Sequence, residues 1–150
     1  MKLEDAKTLA ERLIKEYGLD YSFKWNNSRN YIGRCFYLKK VIELSKPYTE
    51  LNDEKEIRDT ILHEIAHALA PKGSGHGPKW KQLALSLGCK PHRCADGQSL
   101  IIPPYKYLGH CPNCKRIIKK NKRARIACGK CCSEFNNGQF SEKFIIKWDL

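Results

Sequence analysis

The sequence has no apolar run of about 18 residues, the length that a membrane-spanning helix needs. Its beginning also lacks the apolar stretch of a secretory signal, since charged residues recur from Lys2 onward. We therefore expect neither a membrane span nor export, and we expect a cytoplasmic location. A hydrophobic fraction of 41% with three Trp residues predicts a packed core rather than general disorder.

Acidic residues are scarce in one half of the chain. None occurs between Ile65 and Ala95, and the stretch from Ile65 to Ser133 has fourteen Lys or Arg residues against the single acid Asp96. This stretch carries a charge of +13, and the remainder of the chain carries −1 of the total of +12. Such a concentration of positive charge predicts a polyanionic partner, nucleic acid above all. The alternative is a surface that only keeps the protein in solution.

Cysteine is abundant, with eight residues, and in an exported protein this number would suit a disulfide scaffold. Without a signal for export, and with two C-x-x-C pairs, metal binding is the better interpretation. We accordingly expect a reducing compartment.

The first third of the chain has the pattern of one helix and three strands. Apolar residues at helical spacing predict a helix over 3–17, which Gly18 ends. Alternation over 21–25 predicts a strand, and residues 31–37 and 40–44 predict two more, paired as a hairpin. The fold class expected is therefore α+β, with helices and a small antiparallel sheet.

Two further helices are predicted in the middle of the chain. A capping signal at Asp53 and Glu56 begins the first, which carries an apolar stripe through about Ala70. The second begins at Pro78, a residue suited to a first helical turn, and ends at Gly88.

The first of these helices carries the sequence His63-Glu64-Ile65-Ala66-His67. Residues four apart project from one face of a helix, so both imidazoles can bind one metal ion. A capped, amphipathic helix is the context that separates this motif from a chance match. A catalytic zinc site needs a third protein ligand and keeps one position for water.

The third ligand has to come from outside the helix. Because no acid lies nearby, we favour His76, which follows the flexible segment 72–75. His92 is the weaker alternative, and Asp96 remains a remote candidate.

The residue types at this site predict metal-assisted peptide hydrolysis. Zinc lowers the pKa of bound water from about 15.7 to about 7. Glu64, directly after the first imidazole, would take the proton as general base and return it to the leaving amine.

Prolines beyond the last predicted helix mark a linker, so we predict domains at residues 1–102 and 103–150. The second domain has the pairs Cys111/Cys114 and Cys128/Cys131, separated by thirteen residues, which indicate a zinc ribbon. Four thiolates form a closed and therefore structural site. The expected cofactors are thus one catalytic and one structural Zn²⁺.

The remaining cysteine residues and His110 are weaker candidates for metal ligands. Cys132 and His110 are adjacent to the ribbon ligands and are alternatives to them. Cys35, Cys89 and Cys94 are expected to be small packing residues.

Basic residues are concentrated in the ribbon, where nine occur between Pro103 and Cys132 without one acid. The predicted nucleic-acid contacts are Lys115, Arg116, Lys119, Lys120, Lys122, Arg123, Arg125 and Lys130. The aromatic residues Tyr105, Tyr107 and Phe135 flank them, a combination that suits single-stranded DNA. These rings are alternatively the ribbon's own small core.

Several stretches, taken together, resemble the SprT-like family, which includes the Spartan DNA-dependent metalloproteases. The stretches are Gly33-Arg34-Cys35, the strand ending Ile42-Glu43-Leu44-Ser45, residues 59–68, residues 75–80, Leu87-Gly88-Cys89 and the two Cys pairs.

The resemblance implies a minimal zincin-like metalloprotease domain followed by a zinc-binding subdomain. It implies zinc on His63, His67 and His76, with Glu64 catalytic. It also implies degradation of proteins that are covalently trapped on DNA, with DNA as activator. Two rival hypotheses are a nucleic-acid-binding adaptor without turnover and a general peptidase whose charge is incidental.

Overall fold

The computed structural model describes residues 1–91 and 99–149 of the chain. The chain divides into two compact units, Met1–Pro103 and Pro104–Leu150. Three residues considered above, His92, Cys94 and Asp96, lie outside the described residues. Within the described ranges, no helix combines the length and the apolar character needed to cross a membrane.

The first unit is built from helices and one small sheet, and the α+β class predicted from the sequence is confirmed. Its elements are α1 (Leu3–Glu16), β1 (Ser22–Asn26), β2 (Gly33–Phe36), β3 (Val41–Ser45), α2 (Lys46–Leu51), α3 (Glu54–Leu69) and α4 (Pro78–Leu87). Sequence reasoning missed α2, because six residues are too few to show helical periodicity. Its local signal is the N-cap Ser45, whose hydroxyl oxygen accepts from the Tyr48 N–H, with Pro47 in the first turn.

The sheet of the first unit has the strand order β1-β3-β2. Strands β2 and β3 form the predicted antiparallel hairpin, with Phe36 opposite Val41. Strand β1 joins the other side of β3 in parallel, with Phe23 opposite Ile42, so the sheet is mixed. Strand β3 is central and buried on both faces, which leaves β2 as an edge strand.

Helix α3 passes through the core of the first unit. Ile57, Ile61 and Ile65 on one stripe are fully buried, as the i, i+4 spacing predicts. A second stripe, with Thr60 and Glu64, is also buried although it is polar, and it faces the cleft described below. An unpaired buried charge is costly, so a buried carboxylate in this position suggests a functional role for Glu64.

The second unit has β4 (Tyr107–His110), β5 (Ile117–Lys120), α5 (Gly129–Phe135), a short 3₁₀ helix (Glu142–Phe144) and β6 (Lys147–Trp148). Its sheet has the order β5-β4-β6, and both pairings are antiparallel. Among its described residues, the buried apolar cluster has six members, of which four are cysteines and the other two are Phe144 and Ile146. So small an apolar core predicts that a metal contributes much of this unit's stability.

We expect Asp53→Ala to destabilise the first unit by about 1 kcal/mol, because it removes the N-cap of α3. The Asp53 carboxylate accepts a hydrogen bond from the Glu56 N–H at 3.0 Å, as the capping signal predicted. Chemical denaturation measures the loss. Asp53→Asn, which keeps the acceptor, is the matched control and should retain most of the stability. Equal losses in both variants would show that the cap contributes nothing.

Candidate metal and catalytic site

Three imidazole nitrogens converge in the first unit. The Nε2 atoms of His63 and His67 are 3.2 Å apart, and each is 3.0–3.1 Å from Nε2 of His76. Two nitrogens that share a tetrahedral zinc with bonds of about 2.0–2.1 Å lie about 3.3 Å from one another. The three side chains therefore have the donor type and the spacing of one zinc site.

Hydrogen bonding alone cannot satisfy this arrangement. A neutral imidazole presents either an N–H or a lone pair at Nε2, so three mutual contacts leave at least one repulsive pair. A single cation between the rings would accept all three lone pairs. The residues present therefore fit a divalent metal ion, as the sequence predicted.

Local structure explains how the chain brings the three rings together. His63 and His67 lie one turn apart on α3. The chain then reverses through a turn in which the Ser74 N–H donates to the Pro71 carbonyl at 3.0 Å. Gly73 and Gly75 both have positive φ angles, 86° and 51°, so this reversal depends on glycine. The turn places His76 beside the helix just before α4 begins.

Trp80 forms the support behind the imidazoles. Its side chain is fully buried, and its ring stacks on His67 at 5.2 Å and meets the edges of His63 and His76 at 4.7 and 4.6 Å. Its indole N–H points at the His63 carbonyl at 3.5 Å. Sequence reasoning placed Trp80 only within the second of the two predicted helices and within the stretch 75–80 of the family resemblance, with no role at the site. Its position in the first turn of α4, four residues after His76, is the signal that could have indicated a role at the site.

Burial keeps two of the rings in the form that binds metals. It lowers the pKa of His63 to about 3, with smaller contributions from His67 and His76. It also lowers the pKa of His67 to about 4, with a contribution from His76. Both imidazoles are therefore neutral at physiological pH, and neutral imidazole is the ligand.

Glu64 lies beside the imidazoles and is 7% exposed. Burial raises the pKa of its carboxyl group to about 8, and the Arg34 guanidinium opposes this rise. A divalent cation held by the three rings would further favour the carboxylate. The position is thus suited to a group that accepts and releases a proton near neutral pH.

A cavity of about 410 Å³ opens in front of this cluster. Its lining includes all three imidazoles, Glu64 and residues 33–35 of the edge strand β2. Arg34 lies at its border, with its guanidinium 5.0 Å from the centre of the Phe36 ring. Cys35 also lines the cavity and is half-buried, whereas Cys89 is buried in the core, so neither joins the metal cluster.

Comparison with known proteins assigns the chain to a family. The model of the SprT-like family matches residues 5–98, which is more than half of the sequence. The chain belongs to the SprT-like family. Searches of curated proteins and of solved structures gave no significant match. Members of this family have a zinc metalloprotease-like domain, and the cluster of His63, His67 and His76 lies inside the matched range.

The SprT-like match ends before the second cluster, which belongs to the second unit. The sulfur atoms of Cys111 and Cys131 are 3.7 Å apart, as are those of Cys114 and Cys128. Thiolates that share a zinc with bonds of about 2.3 Å lie about 3.8 Å apart, so this set also fits a metal ion. The Asn113 side-chain N–H donates to the Cys131 sulfur at 3.4 Å.

The two alternative ribbon ligands, Cys132 and His110, make other contacts. Cys132 is buried in the small apolar core of the second unit. The His110 ring contacts the Asp149 carboxylate at 3.3 Å. Neither belongs to the four-sulfur cluster.

The eight residues predicted to contact nucleic acid in this SprT-like protein's ribbon are all exposed. They are Lys115, Arg116, Lys119, Lys120, Lys122, Arg123, Arg125 and Lys130. Four of them have local partners. Arg125 pairs with Glu142, and Lys130 contacts Glu134 at 4.0 Å. Arg123 lies 4.7 Å from the centre of the Tyr107 ring, and the Lys115 ammonium donates to the Pro112 carbonyl at 2.8 Å.

The predicted flanking rings differ in exposure. Tyr105 and Phe135 are exposed, whereas Tyr107 is partly buried.

We expect the purified protein to contain two zinc ions per chain, one for each cluster. His76→Ala should remove the first ion and Cys111→Ser the second, because each change deletes a ligand. Elemental analysis of the dialysed variants measures the zinc content. Cys132→Ser is the matched control for the ribbon and should retain both ions. A His76→Ala variant that still binds two ions would contradict the three-imidazole site.

Proposed function

We propose that this SprT-like protein is a zinc-dependent endopeptidase that DNA stimulates and that cleaves proteins bound or crosslinked to DNA. The observation that carries the proposal is the convergence of three Nε2 atoms within 3.0–3.2 Å beside the buried Glu64, at the edge of an open cavity. A purely structural zinc site would have four protein ligands and no need of this carboxylate.

Zinc, when bound, supplies Lewis-acid activation of water and polarisation of a peptide carbonyl. The protein's own residues supply the rest. His63, His67 and His76 hold the ion, and Trp80 fixes the orientation of their rings. Glu64 takes a proton from the attacking water and returns it to the leaving amine, a role that suits a carboxyl group with a pKa raised by burial.

The cavity is suited to a peptide because one wall is the edge strand β2. Among the described strands, β2 pairs only with β3, so no described strand covers its outer edge. An extended peptide can add to such an edge through main-chain hydrogen bonds. This mode of binding depends little on side chains and would suit an enzyme with many protein substrates.

Positive charge supports DNA as the second partner. The eight exposed basic residues that we predict to contact DNA lie in the turn before β5, in β5, in the loop after it and at the start of α5. Phosphate contacts from Lys and Arg give affinity without sequence preference, and aromatic rings add stacking on unpaired bases. Single-stranded or partly unpaired DNA is therefore the form that we propose, and proteins attached to it are the proposed substrates.

Glu64→Gln should leave zinc content unchanged and lower the rate of cleavage about 100- to 10,000-fold, the usual loss for a general base. The amide is isosteric but cannot accept the proton. The assay is cleavage of a protein crosslinked to single-stranded DNA, followed by gel electrophoresis. Cleavage at the wild-type rate would contradict the role of Glu64. Absence of cleavage in both proteins, with DNA binding intact, would instead favour an adaptor without turnover.

Charge reversal of Lys119, Lys120, Lys122 and Arg123 to Glu should weaken binding to single-stranded DNA. For every phosphate that the ribbon no longer neutralises, the slope of log affinity against log salt should become shallower by about 0.7. Fluorescence anisotropy at several salt concentrations measures both quantities.

In the matched control, four exposed basic residues in and beside α1 are replaced by Glu, namely Lys2, Lys7, Arg12 and Lys15. It changes the net charge equally. Equal effects of the two sets would show that net charge, and not the ribbon, determines binding.

A further inference from the structure

The edge strand β2 passes unusually close to the catalytic helix α3 at one residue, Gly33. A Cβ atom at this position would lie 2.8 Å from Cγ2 of Thr60 and 3.3 Å from Cγ of Glu64. The first distance is a steric clash, and the second is tighter than ordinary van der Waals contact. The strand can therefore lie at its present distance from the helix only because residue 33 has no side chain.

The backbone conformation does not explain the glycine. Gly33 is not among the glycines of positive φ, and it pairs in regular register with Leu44 on β3. A glycine inside a strand weakens it, because the residue has no side chain to pack and loses more conformational entropy on folding. The reason for glycine here is the close approach to Thr60 and Glu64.

These two neighbours lie one helical turn apart on the same stripe of α3. Thr60 is fixed, because its hydroxyl donates to the Glu56 carbonyl at 2.9 Å and it is 7% exposed. Glu64 is equally buried, and its Cγ atom packs near the bare backbone of Gly33 while the residue lines the cavity. The strand thus limits where the base of the Glu64 side chain can lie.

We infer that Gly33 is a positioning residue for Glu64: the missing side chain lets β2 hold the Glu64 side chain in the place from which its carboxylate serves the cavity. The inference rests on the proposed function. A methyl group at residue 33 would displace Glu64 by a few tenths of an ångström, and none of the three nearest atoms that it would meet belongs to an imidazole. The effect should therefore fall on kcat rather than on KM or on zinc binding.

Gly33→Ala alone is an ambiguous test, because the clash with Thr60 can destabilise the fold. Thr60→Ser removes the clashing Cγ2 atom and keeps the hydroxyl that donates to Glu56. In the Thr60→Ser background, the remaining close side-chain contact of a Cβ atom at residue 33 is with Glu64. We expect Gly33→Ala in this background to lower kcat about 10- to 100-fold, in line with the sensitivity of catalysis to small misplacements. KM and zinc content should stay within about twofold of the values for Thr60→Ser.

Recovery of full kcat in the Gly33→Ala/Thr60→Ser variant would overturn the inference, since Gly33 would then serve only the packing of Thr60. Gly18→Ala is the control for reduced stability. Gly18 has a φ of 68°, so alanine is strained there, but its added Cβ atom would meet no atom within 4 Å, and the residue does not line the catalytic cavity. A fall in kcat of the same size in Gly18→Ala would also overturn the inference.

A second measurement needs no peptidase activity and so separates this inference from the proposed function. The melting temperature is measured for Gly33→Ala, Glu64→Ala and the double variant, all in the zinc-loaded Thr60→Ser protein. If Gly33 positions Glu64, the decrease caused by Gly33→Ala should shrink when Glu64→Ala has removed the Cγ atom. Additive effects would overturn the inference, whatever the protein cleaves. If the two melting-temperature effects are not additive but the wild-type protein cleaves no substrate, the contact between Gly33 and Glu64 is supported and the proposed peptidase activity is not.

Discussion

The convergence of three imidazoles is the interaction on which the rest of the first unit depends. Nitrogen lone pairs at 3.0–3.2 Å repel one another unless a cation lies between them. The fold holds them there through the pitch of α3, a glycine-dependent reversal and the fully buried Trp80. The edge strand β2 then borders the cluster and leaves one side open as the cavity. The buried core, the glycine-dependent turn and the edge strand β2 therefore all help to position the three imidazoles.

The second unit depends on metal for a different reason. Most of the buried apolar residues described in it are cysteines, so three of the side chains that would bind the ion also belong to the core. Removal of the ion should therefore cost this unit its fold, whereas the first unit has an apolar core of its own around α3. This division suits a protein in which one zinc would do chemistry and the other would stabilise a cationic surface.

Much of this arrangement could be predicted from the sequence, because the helix repeat alone brings His63 and His67 together and capping chemistry defines the start of α3. The third ligand needed more, since a loop's length limits the reach of His76 without fixing its direction. Alternation in β1 predicted which face is buried but not which strand it pairs with, so the parallel pairing was missed. The close approach at Gly33 depends on two elements far apart in sequence, and no local pattern encodes it.

The most direct test of the three-imidazole centre is a crystal structure of the zinc-loaded protein with anomalous diffraction at the zinc edge. We predict an anomalous peak about 2.0–2.1 Å from Nε2 of His63, His67 and His76, with no fourth protein ligand and with Glu64 beside the remaining position. A peak with a fourth side chain bound, or the ring of His76 turned away from the other two, would contradict a catalytic zinc at this position.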